Sequence, residues 1–141
     1  DHETLQVKWW TQDFMSGQHD PDWNSDGTIT VFNNRLRKKE PFSDVIRFDF
    51  IDPRPTILLS GQRYNFKTGL GGKHQVLADK SVLALSYDQG RVIWVDQNGD
   101  ILFEFVNRFS KSDDLSESLA ILNTGFLPLD YFEEGVIGSC S

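Results

Sequence analysis

Cysteine is almost absent from this chain of 141 residues: Cys140, next to the last position, stands alone. One thiol excludes an internal disulfide framework and leaves the compartment open. No run of about 18 apolar residues occurs, which excludes a bilayer-spanning helix. Basic residues are scarce, with 14 Lys and Arg against 21 Asp and Glu and a formal net charge of −7. That balance excludes a general binder of nucleic acid or anionic membrane, because the non-specific part of such binding comes from Lys and Arg displacing counterions. The first residues have neither the basic start nor the apolar core of a signal peptide, and the chain opens at Asp1 without Met. A processed chain, or a piece of a longer one, is therefore expected.

Aromatic residues are plentiful, 13% of the chain with 11 Phe and 4 Trp, so a packed core is expected. Nearly every apolar stretch alternates with a step of two, and no segment before Lys111 keeps a helical spacing. The class is all-β. Candidate strands are Leu5–Trp10, His19–Trp23, Thr28–Phe32, Asp44–Phe50, Thr56–Leu59, His74–Leu77, Val82–Tyr87, Arg91–Val95 and Ile101–Val106. Asn24-Ser25-Asp26-Gly27, Asp79-Lys80, Asp88-Gln89-Gly90 and Gln97-Asn98-Gly99-Asp100 supply the positive-φ positions of tight antiparallel turns.

Self-similarity at a fixed offset separates a propeller from a sandwich or a barrel. Val45-Ile46-Arg47-Phe48-Asp49 followed by Thr56-Ile57-Leu58-Leu59 matches Val92-Ile93-Trp94-Val95-Asp96 followed by Ile101-Leu102-Phe103-Glu104-Phe105. Upstream of each copy, a hairpin from Gln18-His19-Asp20 to Asp26–Val31 matches one from Lys73-His74-Gln75 to Asp79–Leu85. The expected architecture is a partial β-propeller in one domain over 1–141, with two complete four-stranded antiparallel blades at about 19–60 and 74–106. Leu5–Trp10 would be the outer strand of a third blade, and 107–141 an irregular tail in which Leu115–Tyr131 reads as a short helix or as further strands. Burial is expected at Val45, Phe48, Val92, Trp94, Leu102 and Phe105. Propellers close with about four to eight blades, so the partners are further blades or a second copy of the chain, meeting at the open edge near Leu5–Trp10.

The first strand of each blade lines a propeller's central channel, so His19 and His74, in equivalent places of the repeat, are expected to face one another. The plain alternative for either is a satisfied polar core residue. Arg35, Arg37 and Lys73 lie near them in sequence, and Arg35 is the cation expected to return to the His19 face, its planar fork suited to a tetrahedral oxyanion. Asp22, Asn24 and Asp26 before Gly27 imitate the opening of a calcium loop, although Asn33 stands where the bidentate Glu belongs. A hairpin turn explains the same residues. No phosphate loop, zinc spacing or Ser/His/Asp order occurs. Gly69-Leu70-Gly71-Gly72 precedes a strand and reads as a loop near the channel mouth.

Taken in order, Trp9-Trp10, Gln18-His19-Asp20-Pro21-Asp22-Trp23, Asp26-Gly27-Thr28-Ile29-Thr30-Val31-Phe32-Asn33-Asn34-Arg35, Gly72-Lys73-His74-Gln75 and Phe103–Arg108 resemble the carboxy-terminal part of the arylsulfotransferase family. That resemblance implies a secreted or periplasmic β-propeller enzyme that moves a sulfuryl group from an aryl sulfate to a phenol, with no nucleotide sulfate donor, no cofactor and no metal. It implies a transiently sulfurylated histidine, for which His74 fits by order along the chain. His19 and Arg35 then fit as sulfate-contacting partners, with Asn34 and Lys73 beside the substrate and Trp23 and Tyr87 bounding an aromatic acceptor. The family pattern has an Asp-Asn pair where this chain has Asn33-Asn34. The competing expectation is a non-catalytic propeller segment that binds a ligand, a protein or calcium.

Overall fold

The computed structural model describes residues 1–39, 41–52, 54–109, 118–127 and 131. Strands β1 (Gln18–Trp23), β2 (Ile29–Asn33), β3 (Asp44–Phe48) and β4 (Thr56–Leu59) form one antiparallel sheet in chain order. Strands β5 (Lys73–Val76), β6 (Val82–Ser86), β7 (Arg91–Val95) and β8 (Ile101–Val106) form the second in the same way. The chain is all-β, and two four-stranded meanders are the arrangement of neighbouring propeller blades.

Equivalent turns enter the two sheets. Asp26 Oδ1 accepts from the backbone N–H of Thr28 (3.1 Å) and from its hydroxyl (2.6 Å), and Asp79 Oδ1 does the same for Ser81 (3.0 and 2.6 Å). Between each pair sits a left-handed residue, Gly27 in the first turn and Lys80 in the second. The side chain thus caps a turn whose N–H groups have no ladder partner.

The step of two divides each sheet into two faces. Phe32, Val45 and Leu59 of the first sheet meet Val82, Ala84, Ile93 and Val95 of the second, with Phe66 of the connecting segment between them. Each of these Val, Leu, Ile and Phe side chains removed from water stabilises the fold by about 1.5–3 kcal/mol. The far face of the first sheet, Val31, Ile46 and Phe48, is covered by Trp9 and Met15; that of the second, Leu83, Leu85 and Val92, is covered by Ile121. A short helix, α1 (Gly61–Tyr64), which the periodicity did not indicate, starts the connection. Its residue Gly61 has no room for a side chain, since a Cβ there would sit 2.6 Å from the Phe66 carbonyl oxygen. The connection is fastened to the second sheet by Gln89, whose amide donates to Asn65 O (2.9 Å), and by Arg91, which donates to Tyr64 O (2.7 Å) and to Glu104 (2.8 Å).

Three expectations are corrected. Leu5–Trp10 is not a strand: nothing among the described residues offers it a ladder, and Leu5 is left-handed with φ 55°. The segment instead lies across the first sheet, Trp9 resting on Phe48 and Phe50 with ring centroids 5.6 and 5.2 Å away. Leu102 and Phe105 are exposed rather than buried, and Trp94 is only partly buried. They sit on or beside β8, the last strand of the sheet, which no further strand covers among the described residues. Residues 118–127 carry no helix and no strand, only a single antiparallel bridge from Ser118 to Arg108. The rest of Leu115–Tyr131 other than Tyr131 itself, and Cys140, lie outside the described residues. Among the described residues no helix is long and apolar enough to cross a membrane.

Candidate functional site

The first strand of each sheet brings its histidine to the seam between the sheets. His19 pairs with Phe32 across β1 and β2, and His74 pairs with Ala84 across β5 and β6; Phe32 and Ala84 both belong to the core shared by the two sheets. The Phe32 ring lies between the imidazoles, 5.0 Å from His19 and 6.5 Å from His74. Gly72 makes this approach fit. Its φ of 120° suits only glycine, and a Cβ would fall 2.6 Å from the Phe32 ring.

A bulge in β1 gives the site its second feature. Asp20 is left-handed at φ 53°, and the register shifts between His19 and Asp22. The extra residue lets His19 and Asp22, three apart, face Phe32 and Thr30, two apart, so both point toward the second sheet. Asp20 is swung out of the ladder and across the seam. Its Oδ2 accepts from the backbone N–H of His74 (2.8 Å) and lies 3.1 Å from His74 Nδ1, while its Oδ1 lies 3.6 Å from Lys73 Nζ.

A carboxylate only accepts, so Nδ1 carries the proton and Nε2 carries the lone pair. The His74 side chain is fully buried, and its Nε2 has no hydrogen-bond partner among the described residues. The nearest charged atom across from it is Asp22 Oδ2, at 3.7 Å. Burial pushes the His74 pKa below its ordinary value; Asp20 and Asp22 pull it upward and do not overcome that effect, and His19 adds a further downward push.

His19 is held differently. Asn34 Nδ2 lies 3.1 Å from His19 Nε2, and Asn34 Oδ1 accepts from the Ser43 hydroxyl at 2.9 Å. Ser43 Oγ in turn accepts from the Thr68 N–H at 2.9 Å, so His19 ends a relay that reaches into the connecting segment.

The structure therefore brings together His19, His74, Asn34, Lys73 and Asp22 of the expected residues and adds Asp20. Arg35 is not brought in. It is left-handed (φ 52°), which turns it off the strand, and its Nη1 lies 3.3 Å from Asp44 Oδ2. Asp44 also accepts from the Gly61 N–H (2.9 Å), and burial pushes its pKa up against the pull of that N–H and of Arg35. Arg35, Arg37 and Asp44 line a separate cavity of about 750 Å³ together with Phe14, Met15 and Ile57.

The calcium reading of Asp22, Asn24 and Asp26 is corrected as well. Asn24 turns its amide to Thr28, with Nδ2 3.1 Å from Oγ1; Asp26 caps its turn and meets Arg47 at 3.7 Å; Asp22 faces His74. The three oxygens do not converge. Trp23 pairs with Ile29 on the far face of the first sheet and stacks on Phe50 at 5.6 Å, away from the histidines. Tyr87 sits against Gly71 in the loop before β5.

Asp20, Ser43 and Thr68 were not singled out from the sequence. Asp20 left one trace: in the repeat it aligns with Gln75, so the residue after the histidine differs in charge between the two copies. Ser43 and Thr68 left none.

Residues 2–108 match the family model described as Arylsulfotransferase (ASST). No curated protein and no solved structure matches the chain.

Proposed function

The chain belongs to the arylsulfotransferase family, and from that premise we propose that His74 is the nucleophile of a sulfuryl transfer from an aryl sulfate to a phenol, carried out within a larger propeller. One observation carries this reading: a buried imidazole whose Nδ1–H is held by Asp20 and whose Nε2 lone pair is left without a partner. A neutral, oriented imidazole of this kind is a competent nucleophile near neutral pH.

In the first step Nε2 attacks sulfur, the N–S bond forms, and the S–O(aryl) pair leaves on the phenolate. The ring keeps its Nδ1 proton and becomes cationic, and the Asp20 carboxylate stabilises that charge as the acid does in a Ser-His-Asp triad. In the second step a phenol oxygen attacks sulfur, its proton passes to a base, and Nε2 leaves with its lone pair restored. In this reading His19, fixed by Asn34, and Lys73 contact the sulfuryl oxygens. Arg35, paired with Asp44, lines the neighbouring cavity and is given no part in this transfer.

The test is covalent trapping. After brief exposure of the full protein to a nitrophenyl sulfate, mass spectrometry is expected to find one sulfuryl group on the peptide containing His74. His74→Ala removes the label, and His19→Ala slows its appearance. A label on His19 exchanges the two roles; a protein that takes up no label refutes the reading.

A further inference from the structure

We propose that His74 and Asp22, with Asp20 holding the imidazole from behind, form a binding site for a divalent transition-metal cation of the zinc class, and that an ion seated there occupies the Nε2 lone pair. Each of these residues offers a ligand atom, and the ligand atoms all lie within 4.8 Å of one another. Proximity of carboxylates is common on acidic surfaces and would not by itself point to an ion. The second observation is His74: its side chain is fully buried, its Nε2 is unpartnered, and that atom faces the Asp22 carboxylate at 3.7 Å.

With Nδ1–H committed to Asp20, the buried Nε2 has a lone pair turned toward a second electron-rich group, the half-exposed Asp22 carboxylate. Both repel each other as they stand. A cation between them converts the repulsion into two ligand bonds. Tetrahedral zinc with bonds of about 2.0–2.2 Å holds its ligands about 3.3–3.6 Å apart, within a few tenths of an ångström of the Nε2 to Oδ2 distance. Lys73 lies 3.6 Å from one lobe of Asp20, so Asp22 is the carboxylate left without a lysine or arginine beside it.

The donor set selects the metal. One imidazole with carboxylates suits zinc, and manganese more weakly, whereas calcium and magnesium favour all-oxygen sites with more ligands. Asp20 also plays the supporting part seen behind metal-bound histidines, a carboxylate on Nδ1–H that fixes the ring and raises the basicity of Nε2. Metal binding itself stands apart from the proposed transfer. Only its consequence, that zinc blocks sulfurylation of His74, rests on that reading.

Calorimetric titration of the full chain with zinc chloride near neutral pH tests the site. One tightly bound zinc per chain is expected, not displaced by excess magnesium or calcium. Asp22→Asn, a half-exposed position, should abolish it while leaving the circular dichroism spectrum unchanged; His74→Ala should do the same where it folds. Asp20→Asn should weaken binding by about 10–100-fold. Equal zinc uptake by wild type and Asp22→Asn would place the ion elsewhere, on His2 or Cys140 for example, and overturn the proposal. So would the absence of uptake by the folded wild type. Labelling by the nitrophenyl sulfate is then followed with and without zinc. Loss of label that a chelator restores supports the shared lone pair. Specific zinc binding in a protein that never labels refutes the transfer and leaves the site standing, whereas labelling without zinc uptake does the reverse.

Discussion

Asp20 holds His74 twice with a single oxygen, Oδ2, which lies 2.8 Å from the backbone nitrogen and 3.1 Å from ring Nδ1. The backbone bond ties β1 to β5, and therefore one sheet to the other. The ring bond sets which nitrogen can react. One residue thus links the stability of the seam to the chemistry proposed for it.

Asp20→Ala should consequently lower the unfolding free energy by about 1.5–3 kcal/mol, the cost of losing hydrogen bonds to a charged acceptor. Asp20→Asn keeps an oxygen for the backbone N–H but removes the charge behind the imidazole. It should unfold closer to wild type while slowing sulfurylation by about 100-fold or more, since the reactive tautomer and its cationic product lose their support. Denaturant titration and the rate of label uptake separate the two effects. Equal losses on both scales for Asp20→Asn would contradict the division of roles.

Gly72→Ala tests how tightly the site depends on close packing. The residue combines φ 120° with a Cβ position 2.6 Å from the Phe32 ring and 3.1 Å from Leu85 O. Backbone strain and displacement of a buried ring each cost about 1–3 kcal/mol, so a loss of at least about 2 kcal/mol is expected in the unfolding free energy from denaturant titration. Because Phe32 sits between the two imidazoles, label uptake by the folded fraction should fall as well. A variant as stable and as reactive as wild type would show that the loop before β5 can shift freely.

The periodicity of two made both sheets readable. Val31 and Phe32, or Leu83 and Ala84, fall on opposite faces because the backbone is extended there, and the repeat of Gln18-His19 and Lys73-His74 put two histidines at one seam. The same reasoning failed wherever the backbone leaves the extended region. Arg35 follows the strand paired with His19 and was expected to return to that face, but at φ 52° the chain turns and delivers the guanidinium to Asp44. Asp20 escaped notice for the converse reason: a bulge, invisible in the pattern, re-aims it from one sheet into the other. Leu5–Trp10 has the alternation of a strand, yet alternation specifies only a face to bury. Trp9 buries against Phe48 without any ladder.

The repeated turn gives a pH prediction. Hydrogen bonds from Ser81 hold the Asp79 carboxyl below its ordinary pKa of 3.8, as those from Thr28 hold Asp26. A folded-state pKa below the unfolded value means that the unfolded chain binds the proton more readily. The contribution of Asp79 to stability is therefore complete above pH 3.8 and is lost as the pH falls through its folded value. The difference in unfolding free energy between wild type and Asp79→Ala should be constant near neutrality and shrink in acid. A difference that widens on acidification would reverse the sign and refute the assignment.

The exposed side chains of β8 make the last prediction. Ile101, Leu102, Phe103 and Phe105 remain about half exposed, so both faces of this strand show apolar side chains to solvent. Among the described residues the strand pairs with β7 on one side only, and none of them pairs with the N–H and C=O groups of its other edge. An open, apolar edge is a template for another strand, whether from a further blade or from a second copy of the chain. At micromolar concentration the chain should therefore sediment as a mixture of monomer and larger species, shifting toward the latter as concentration rises. Leu102→Lys with Phe105→Lys places two charges on the strand without emptying the core, since neither residue belongs to a buried cluster. The double variant should sediment as a monomer with the wild-type circular dichroism spectrum. If association persists, β8 is not the contact, and the apolar side chains of the amino-terminal segment, Leu5, Val7 and Trp10, become the surface to change next.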